Sequence, residues 1–580
     1  MKKNFVFFRD FPLLLFSIIC LVFFAQKVRA NPLKPIITAE VEDLIEEFSE
    51  NSTAIDYCQI SDQPLKNPSS KILLTAVTVQ DKTITIELKQ NTIFSKQEIL
   101  NSSEVKQLFR SPNRENMSLE EFFVFYQALA EAITQLYLTN GYINSMATTS
   151  SVVDRETEIA EIIVSQGSLE SIQFIGTGGF QLAYLCDRIN LGITYPFNII
   201  PLEKQLRLLN RNPQIENITA NLRASGNPGL SILEINVEKK PSFKVTAGAD
   251  NYSPPTLGAA RINLGITANN PSGWGDEIST IYYRSLTGGN NLLDFTYRIP
   301  LNPQEGTLQV RALPSWTKIT QAPLDQFDIR GQNQVYEISF RQPIIRNLDE
   351  ELGISIGFRY TQGETLGLDQ PLLGDNRSSV IQFGQDYFSR DLEGIWSIRS
   401  QFNLGTGLFD ATESSNFLPD GFFFSWLGQI QRLQRINSDH LLVFQGEIQL
   451  SPDPLIPDYL FIIGGGQSLR GYRQNVRSGD NGFRLSIEDR ITLVRNDQGN
   501  PQWQIAPFMD LGQIWNSANN PIELPSQTFL ISAGIGLIWQ PIEALNFRLD
   551  YGYPLVNLED RGNNLQDDGF YFQFGSSFSF

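Results

Sequence analysis

Histidine is all but missing from this chain. Its 580 residues include one His, four Met and three Cys. A lone His440 and no clustered Cys and His leave no ligand set for zinc. His440 opens a strand-like segment and reads as a turn or surface residue. Gly466-Gln467-Ser468-Leu469-Arg470 lacks the closing glycine of a nucleophile elbow. No nucleotide motif occurs, and the scattered carboxylates read as solvated groups. The expectation is no enzyme, no metal and no cofactor. Positive charge is short as well: 45 Lys and Arg face 63 Asp and Glu, a net charge of -18. A phosphate-binding surface needs clustered Lys and Arg, so nucleic acid is excluded as a partner.

Long apolar runs are missing too, with one exception at the start. Lys2 and Lys3 precede an almost wholly apolar Phe11 to Ala25, and Val28-Arg29-Ala30 supplies small residues for cleavage. Residues 1–30 read as a secretory signal peptide. The run is shorter than the ~20 residues a spanning helix needs, and a bulky Ile19 before Cys20 makes a poor lipoprotein signal. Beyond the leader only Cys58 and Cys186 remain, expected as two small buried thiols rather than a disulfide. No later segment is apolar enough to cross as a helix. An exported soluble protein and a β-barrel both remain, because barrel strands escape hydropathy scans.

What is present is a long chain rich in Phe, with 40 of them, and only 19% charged residues. Residues 31–71 are polar and Pro-containing, a linker in which Thr38 to Phe48 suits a short helix with Val41, Leu44 and Ile45 on one face. Residues 72–166 read as strand, helix, helix, strand, strand. Thr83 to Leu88 alternates. Leu119 to Leu138 is the best helix, with Phe122, Phe123, Tyr126, Leu129, Ala130, Ile133 and Leu136 on its apolar face and Gly141 as its stop. The order repeats over residues 167–241. There Leu169 to Ile175 is a strand, and Gln181 to Leu191 and Pro201 to Leu209 are helices. Ile218 to Ala224 and Leu230 to Val237 are strands around the turn Asn227-Pro228-Gly229.

After Pro241 the texture changes. Segments of roughly ten residues alternate to the end, the length a tilted membrane strand needs. Ile354, Ile356, Phe358 and Tyr360 share one parity, as do Leu545, Phe547, Leu549, Tyr551 and Tyr553 against Asn546, Arg548, Asp550 and Gly552. Broad aromatic stripes opposite Arg and Asp, strand after strand, fit a wall between lipid and a wet lumen. Short connections (residues 302–305, 346–350, 435–439, 541–544) alternate with long ones (363–377, 405–421, 451–481). The count from residue 242 to 580 is about sixteen strands, an even number that puts both barrel ends on one side. The fold class is therefore α+β leading domains followed by an all-β antiparallel transmembrane barrel.

The longest loop holds Arg470-Gly471-Tyr472, and a later strand holds Pro507-Phe508-Met509-Asp510-Leu511-Gly512. These resemble the loop signature and partner strand of the BamA-like superfamily of assembly and secretion barrels. The resemblance implies a loop folded back into the lumen, with its Arg on an acid. Parity points the same way: if Ile505, Met509 and Leu511 face lipid, Asp510 faces the lumen, and so do Arg484, Ser486, Glu488 and Arg490. Asp510 and Glu488 are the expected lumen partners of the loop, and a reversal of both charges of the Arg470–Asp510 pair is expected to restore what either single reversal destroys. Asp489 departs, since alternation points it at lipid; a local bulge or a shifted parity would relieve it.

Two leading units resemble POTRA domains, and with the barrel they resemble the two-partner secretion transporters of the ShlB, FhaC and HecB type. Pro201 to Asn210 with Pro213 resembles their second POTRA helix, and Thr38 to Phe48 stands where the family often has a plug helix. The resemblance implies an outer-membrane monomer with POTRA 1 (72–166) and POTRA 2 (167–241) in the periplasm. It also implies an unfolded haemolysin- or adhesin-like partner secreted through the pore, the alternative being a BamA-like assembly factor. Phe578 and terminal Phe580 look like the signal read by the barrel assembly machinery.

Overall fold

The structure, a computed structural model, describes residues 56–58, 71–110, 116–150, 158–227, 229–368, 370–413 and 419–580. The leader, the helix expected at Thr38 to Phe48, and Pro228 lie outside the described residues.

The described chain opens with a three-residue strand, β1 (Asp56–Cys58), in what the sequence suggests is linker. β1 pairs antiparallel with residues 172–174 of the second unit. The first unit then runs β2 (Lys71–Val79), β3 (Lys82–Lys89), α1 (Lys96–Asn101), α2 (Ser103–Phe109), α3 (Leu119–Thr139), β4 (Met146–Thr149) and β5 (Ile159–Ser165). β2 adds a strand that the sequence pattern did not suggest; its sheet order is β2-β3-β5-β4. α3 starts in a capping box: Ser118 Oγ accepts from Glu121 N at 3.2 Å, and the Glu121 carboxylate accepts from Ser118 N at 2.8 Å. It buries Phe122, Tyr126, Leu129, Ile133 and Tyr137 against Ile86, Leu88 and Ile162 of the sheet. Phe123, one step round the helix, is 42% exposed and lies outside that face. Gly141 ends the helix at φ +90°, a conformation that favours glycine.

The second unit is β6 (Ser168–Gly176), α4 (Leu182–Asn190), α5 (Ile199–Asn210), β7 (Ile215–Ala224) and β8 (Leu230–Lys239), with sheet order β1-β6-β8-β7. α5 begins two residues before Pro201, where Asn198 caps it by accepting from Ile200 N. Cys58 and Cys186 form a disulfide, contrary to the expected free thiols. It ties β1 to α4 inside the apolar core of this unit.

Residues from Phe243 to Ser579 then close a barrel of sixteen antiparallel strands. β9 (Phe243–Asp250) opens it, followed by β10 (Arg261–Asn269), and β26 (Phe570–Ser579) seals it by pairing with β9. The expected long loop at residues 363–377 is instead hairpin: β15 (Glu350–Gly367) and β16 (Gln370–Arg390) stay paired out to Gly367 and Gln370. The second unit docks at one barrel mouth. Arg188 of α4, 4% exposed, donates to Glu305 Oε1 at 2.8 Å and to the Asn302 carbonyl at 3.1 Å. Its guanidinium lies 3.6 Å from the Tyr184 ring centroid. Gln214 donates to the Asp276 carbonyl at 2.9 Å, and Gln181 N to the Gly273 carbonyl at 2.8 Å.

Candidate functional site: the loop folded into the barrel

β19 (His440–Leu450) leads into the longest loop and β22 (Asn481–Arg495) leads out of it. Within the loop, β20 (Phe461–Ile463) and β21 (Arg477–Gly479) pair as a small hairpin. Phe461, Ile463, Leu469 and Tyr472 bury themselves against Ile514 of β23 (Pro501–Trp515) and Leu530 of β24 (Phe529–Ile542). The loop thus carries its own apolar anchor on the inner wall, which holds its tip without a strand of the barrel.

Arg470 sits below that anchor and is 6% exposed. It meets Asp510 as a fork, Nε to Oδ2 at 2.7 Å and Nη2 to Oδ1 at 2.8 Å, while its backbone N–H donates to Oδ2 at 3.0 Å. Nη1 donates to Glu488 Oε2 at 2.5 Å. The guanidinium lies 3.4 Å from the centroid of the Phe508 ring. Ser486 Oγ donates to Asp510 Oδ1 at 2.6 Å. Arg470, Asp510 and Glu488, singled out by the family resemblance and by lumen parity, lie together in the structure.

The rest of the network comes from β25 (Leu545–Pro554). Arg548 donates to Glu488 Oε2 at 2.6 Å and to both Asp550 oxygens at 2.7 and 2.8 Å. Arg490 donates to Glu488 Oε1 at 2.8 Å, and Asp550 lies 3.8 Å from Arg470. Three carboxylates face three guanidiniums, so the network as a whole is charge-balanced. Arg548 and Asp550 were visible as lumen-parity residues; what was not visible is that their strand comes round to the same patch of wall.

Gly471 turns the chain at φ +95°. A Cβ there would meet the Gly552 carbonyl at 3.2 Å, and one on Gly552 would lie 2.5 Å from Gly471 N. Both positions need glycine for the loop to lie flat on the wall. Gly471 N donates to Tyr571 Oη at 3.1 Å, and that hydroxyl donates to the Tyr472 carbonyl. Tyr472 Oη in turn donates to the Ile531 carbonyl at 2.7 Å and accepts from Val556 N at 3.2 Å. Glycines at lumen parity on neighbouring strands were the available sequence signal for this contact.

At its outer end the loop is clasped by the last extracellular connection. Arg473 and Arg477 donate to Asp560 at 2.7 and 2.8 Å. The Arg477 hydrogen bond first, and Arg473 with it, holds the Asp560 carboxyl well below the usual range. Gln566, fully buried, accepts from Gln474 N at 2.8 Å and donates to the Ser253 carbonyl at 2.9 Å.

Asp489 keeps its outward parity. The β22–β23 register runs unbroken from Asn481 to Ile491, and its irregularities fall only beyond Thr492. His440, on the same outer face, answers the charge: its Nδ1 lies 2.8 Å from Asp489 Oδ2. Phe578 also faces outward, 47% exposed, and Phe580 N donates to the Phe243 carbonyl at 2.8 Å across the closing seam.

The model of the family described as haemolysin secretion/activation protein ShlB/FhaC/HecB matches residues 229–538, more than half of the chain. The outer membrane transporter CdiB of Escherichia coli is 24% identical over 383 residues, which is 62% of this chain and 62% of the relative. The match thus spans less than two thirds of that relative's length. Among solved structures, CdiB from Escherichia coli superposes with a TM-score of 0.63 at 18% identity, covering 93% of this chain and 97% of that one. CdiB from Acinetobacter baumannii gives 0.56 at 15%, with coverage of 93% and 97%. BamA from Haemophilus ducreyi lacking POTRA domains 1-3 gives 0.53 at 14%, with coverage of 87% and 100%. At these identities the structural neighbours speak for the fold.

Proposed function

This chain belongs to the haemolysin secretion/activation protein family, and on that premise we propose that it secretes a partner protein from the periplasm to the cell surface through its barrel. The barrel spans the outer membrane. The two α/β units, assigned as POTRA 1 (72–166) and POTRA 2 (167–241), stand on the periplasmic side. They receive an unfolded haemolysin- or adhesin-like exoprotein and add its segments to their sheet edges. The protein works as a monomer and performs no catalytic step. The barrel assembly machinery inserts it by reading Phe578 and Phe580.

The observation that carries this reading is the latch at Arg470, 2.7 Å from Asp510 and 2.5 Å from Glu488. A passive pore needs no loop buried in its own lumen. A conduit for large, occasional cargo needs one that closes the lumen at rest and can leave. Release trades one set of charge-assisted hydrogen bonds for hydration, so binding of cargo at the mouth is enough to bias it. The partner's folding outside supplies the pull.

BamA likeness in fold favours one second reading, a general assembly factor. The test compares secreted and outer-membrane proteomes with and without the gene. Loss of one or a few large exported proteins, with other barrels level, is the expected result. A joint fall of many barrels would overturn secretion in favour of assembly.

A further inference from the structure

The lumen wall is not uniform. From β12 (Asn290–Pro300) through β13 (Thr307–Lys318) and β14 (Arg330–Arg346) to β16, ion pairs tile it. Arg311 sits on Asp294 at 2.6 Å, and Arg341 on Asp386 at 2.9 Å and Glu351 at 2.8 Å. The wall of β22 to β25 is tiled by the Arg470 network. Between them lie β17 (Gly394–Thr406), β18 (Phe424–Arg435) and β19. There the register lines Ser486, Gln445, Gln431 and Ser397 into one uncharged row across four strands.

A cavity of about 340 Å³ opens on this row; the adjacent row of Arg399, Gln429, Glu447 and Arg484, its Glu447 and Arg484 paired at 3.0 Å, also lines it, as do Gln467 and Ser468 of the folded loop. Gln431 and Gln445 make no side-chain hydrogen bond to another described residue, unlike Gln429, which donates to Glu447 at 2.6 Å. Two free amides thus face an open space just behind Arg470.

We propose that this amide row is the track for the main chain of the secreted partner, which passes extended along β18 and β19 beside the loop. The inference rests on the secretion reading above and names where in the lumen the cargo runs. An extended chain carries a donor and an acceptor on nearly every residue, and each needs a partner when water is displaced. A glutamine amide offers two donors and one acceptor without charge, so it serves any sequence. Such a bond is worth only ~1 kcal/mol net, so it does not trap the chain. The ion-pair ladders are already satisfied by their own partners and offer a passing main chain few free donors or acceptors. The track also borders the loop tip, so withdrawal of Arg470-Gly471-Tyr472 widens it where the chain must pass.

The test places a photo-crosslinking amino acid at Gln431, and separately at Asn263 on β10, eight strands round the barrel. The full chain is used, in cells, and the band sought is the exported protein lost on gene deletion. Crosslinks at Gln431 and none at Asn263 are expected. The conservative Q431N should keep export, while Q431K, in a barrel that still assembles, should lower it roughly fivefold, about one hydrogen bond's net worth. Crosslinks at Asn263 and not at Gln431 overturn the track while leaving secretion standing. If deletion removes no exported protein, secretion itself falls, and the track with it.

Discussion

Ile84, Ile86 and Leu88 alternate along β3 as Phe570, Phe572 and Phe574 alternate along β26, and the two stripes face opposite ways. In β3 the stripe is buried under α3. In β26 Phe570 is 42% exposed, while Tyr571 between the stripe residues is fully buried against the loop. Alternation reports only that a strand divides two surroundings. What covers each face decides which surroundings are wet. Helices with apolar faces cover the sheets of the α/β units; nothing but lipid covers the outside of the barrel. The charges follow suit. Among described residues of the α/β units Arg188 is the one buried charged side chain, whereas the barrel buries Arg470, Glu488, Asp510 and Asp550 together.

The hardest way to break this comparison is to empty the barrel's charged interior. Arg470→Ala leaves Asp510 buried with Ser486 as its remaining side-chain donor, takes one of three guanidiniums from Glu488, and should cost ~4 kcal/mol of loop docking. Ion conductance of the purified protein in planar bilayers should rise accordingly. Unchanged conductance would mean that the loop is held by its apolar anchor alone. The R470D/D510R double reversal is not expected to restore the latch, contrary to what a simple pair implies. The reversed acid would stand beside Glu488, now 2.5 Å from Arg470, and near Asp550.

The apolar stripes allow a second, smaller contrast. Ile133, fully buried in the first unit, should lose about 3 kcal/mol when changed to Ala. Ile535, 50% exposed on the outer wall, should lose well under ~1 kcal/mol, since lipid refills the space. Urea titration read by proteolysis of the leading units, and heat-modified gel migration of the barrel, measure the two. Equal losses would show that the outer wall is packed like a core.

The smallest effect expected is a pH response at the outer clasp. The folded-state pKa of Asp560 lies below its unfolded value of ~3.9. The clasp is therefore intact above ~pH 4 and weakens as pH falls toward the depressed value. A spin-label distance between positions 475 and 559 should stay constant through ~pH 4 and lengthen only as pH falls to the depressed value, and Asp560→Asn should abolish the step.

Much of this was legible in sequence because the barrel repeats one signal many times. Strand count and lumen parity follow from a period of two; the pairing of Arg470 with Asp510 comes from the family resemblance, and parity adds only that Asp510 and Glu488 face the lumen. Features without a local signature were not legible. Cys58 and Cys186 lie 128 positions apart, and nothing in β1 predicts that it joins the second unit. Residues 363–377 are rich in Gly and polar groups, which reads as loop, yet the hairpin of β15 and β16 pairs them. Asp489 looked like an error of parity, because its answer, His440, sits on another strand.

The disulfide at Cys58 has a mechanical consequence. Covalently, residues 59–185 form a ring that begins and ends at the second unit, with the first unit strung along it. Any tension on the chain ahead of Cys58 therefore has two routes, through the first unit or straight across the sulfur bridge into α4. The bridge is the shorter and stiffer route. It leads to Arg188, and through Arg188 to the rim of the barrel at Glu305. β1 is thus coupled to the mouth of the pore by a path that bypasses the first unit.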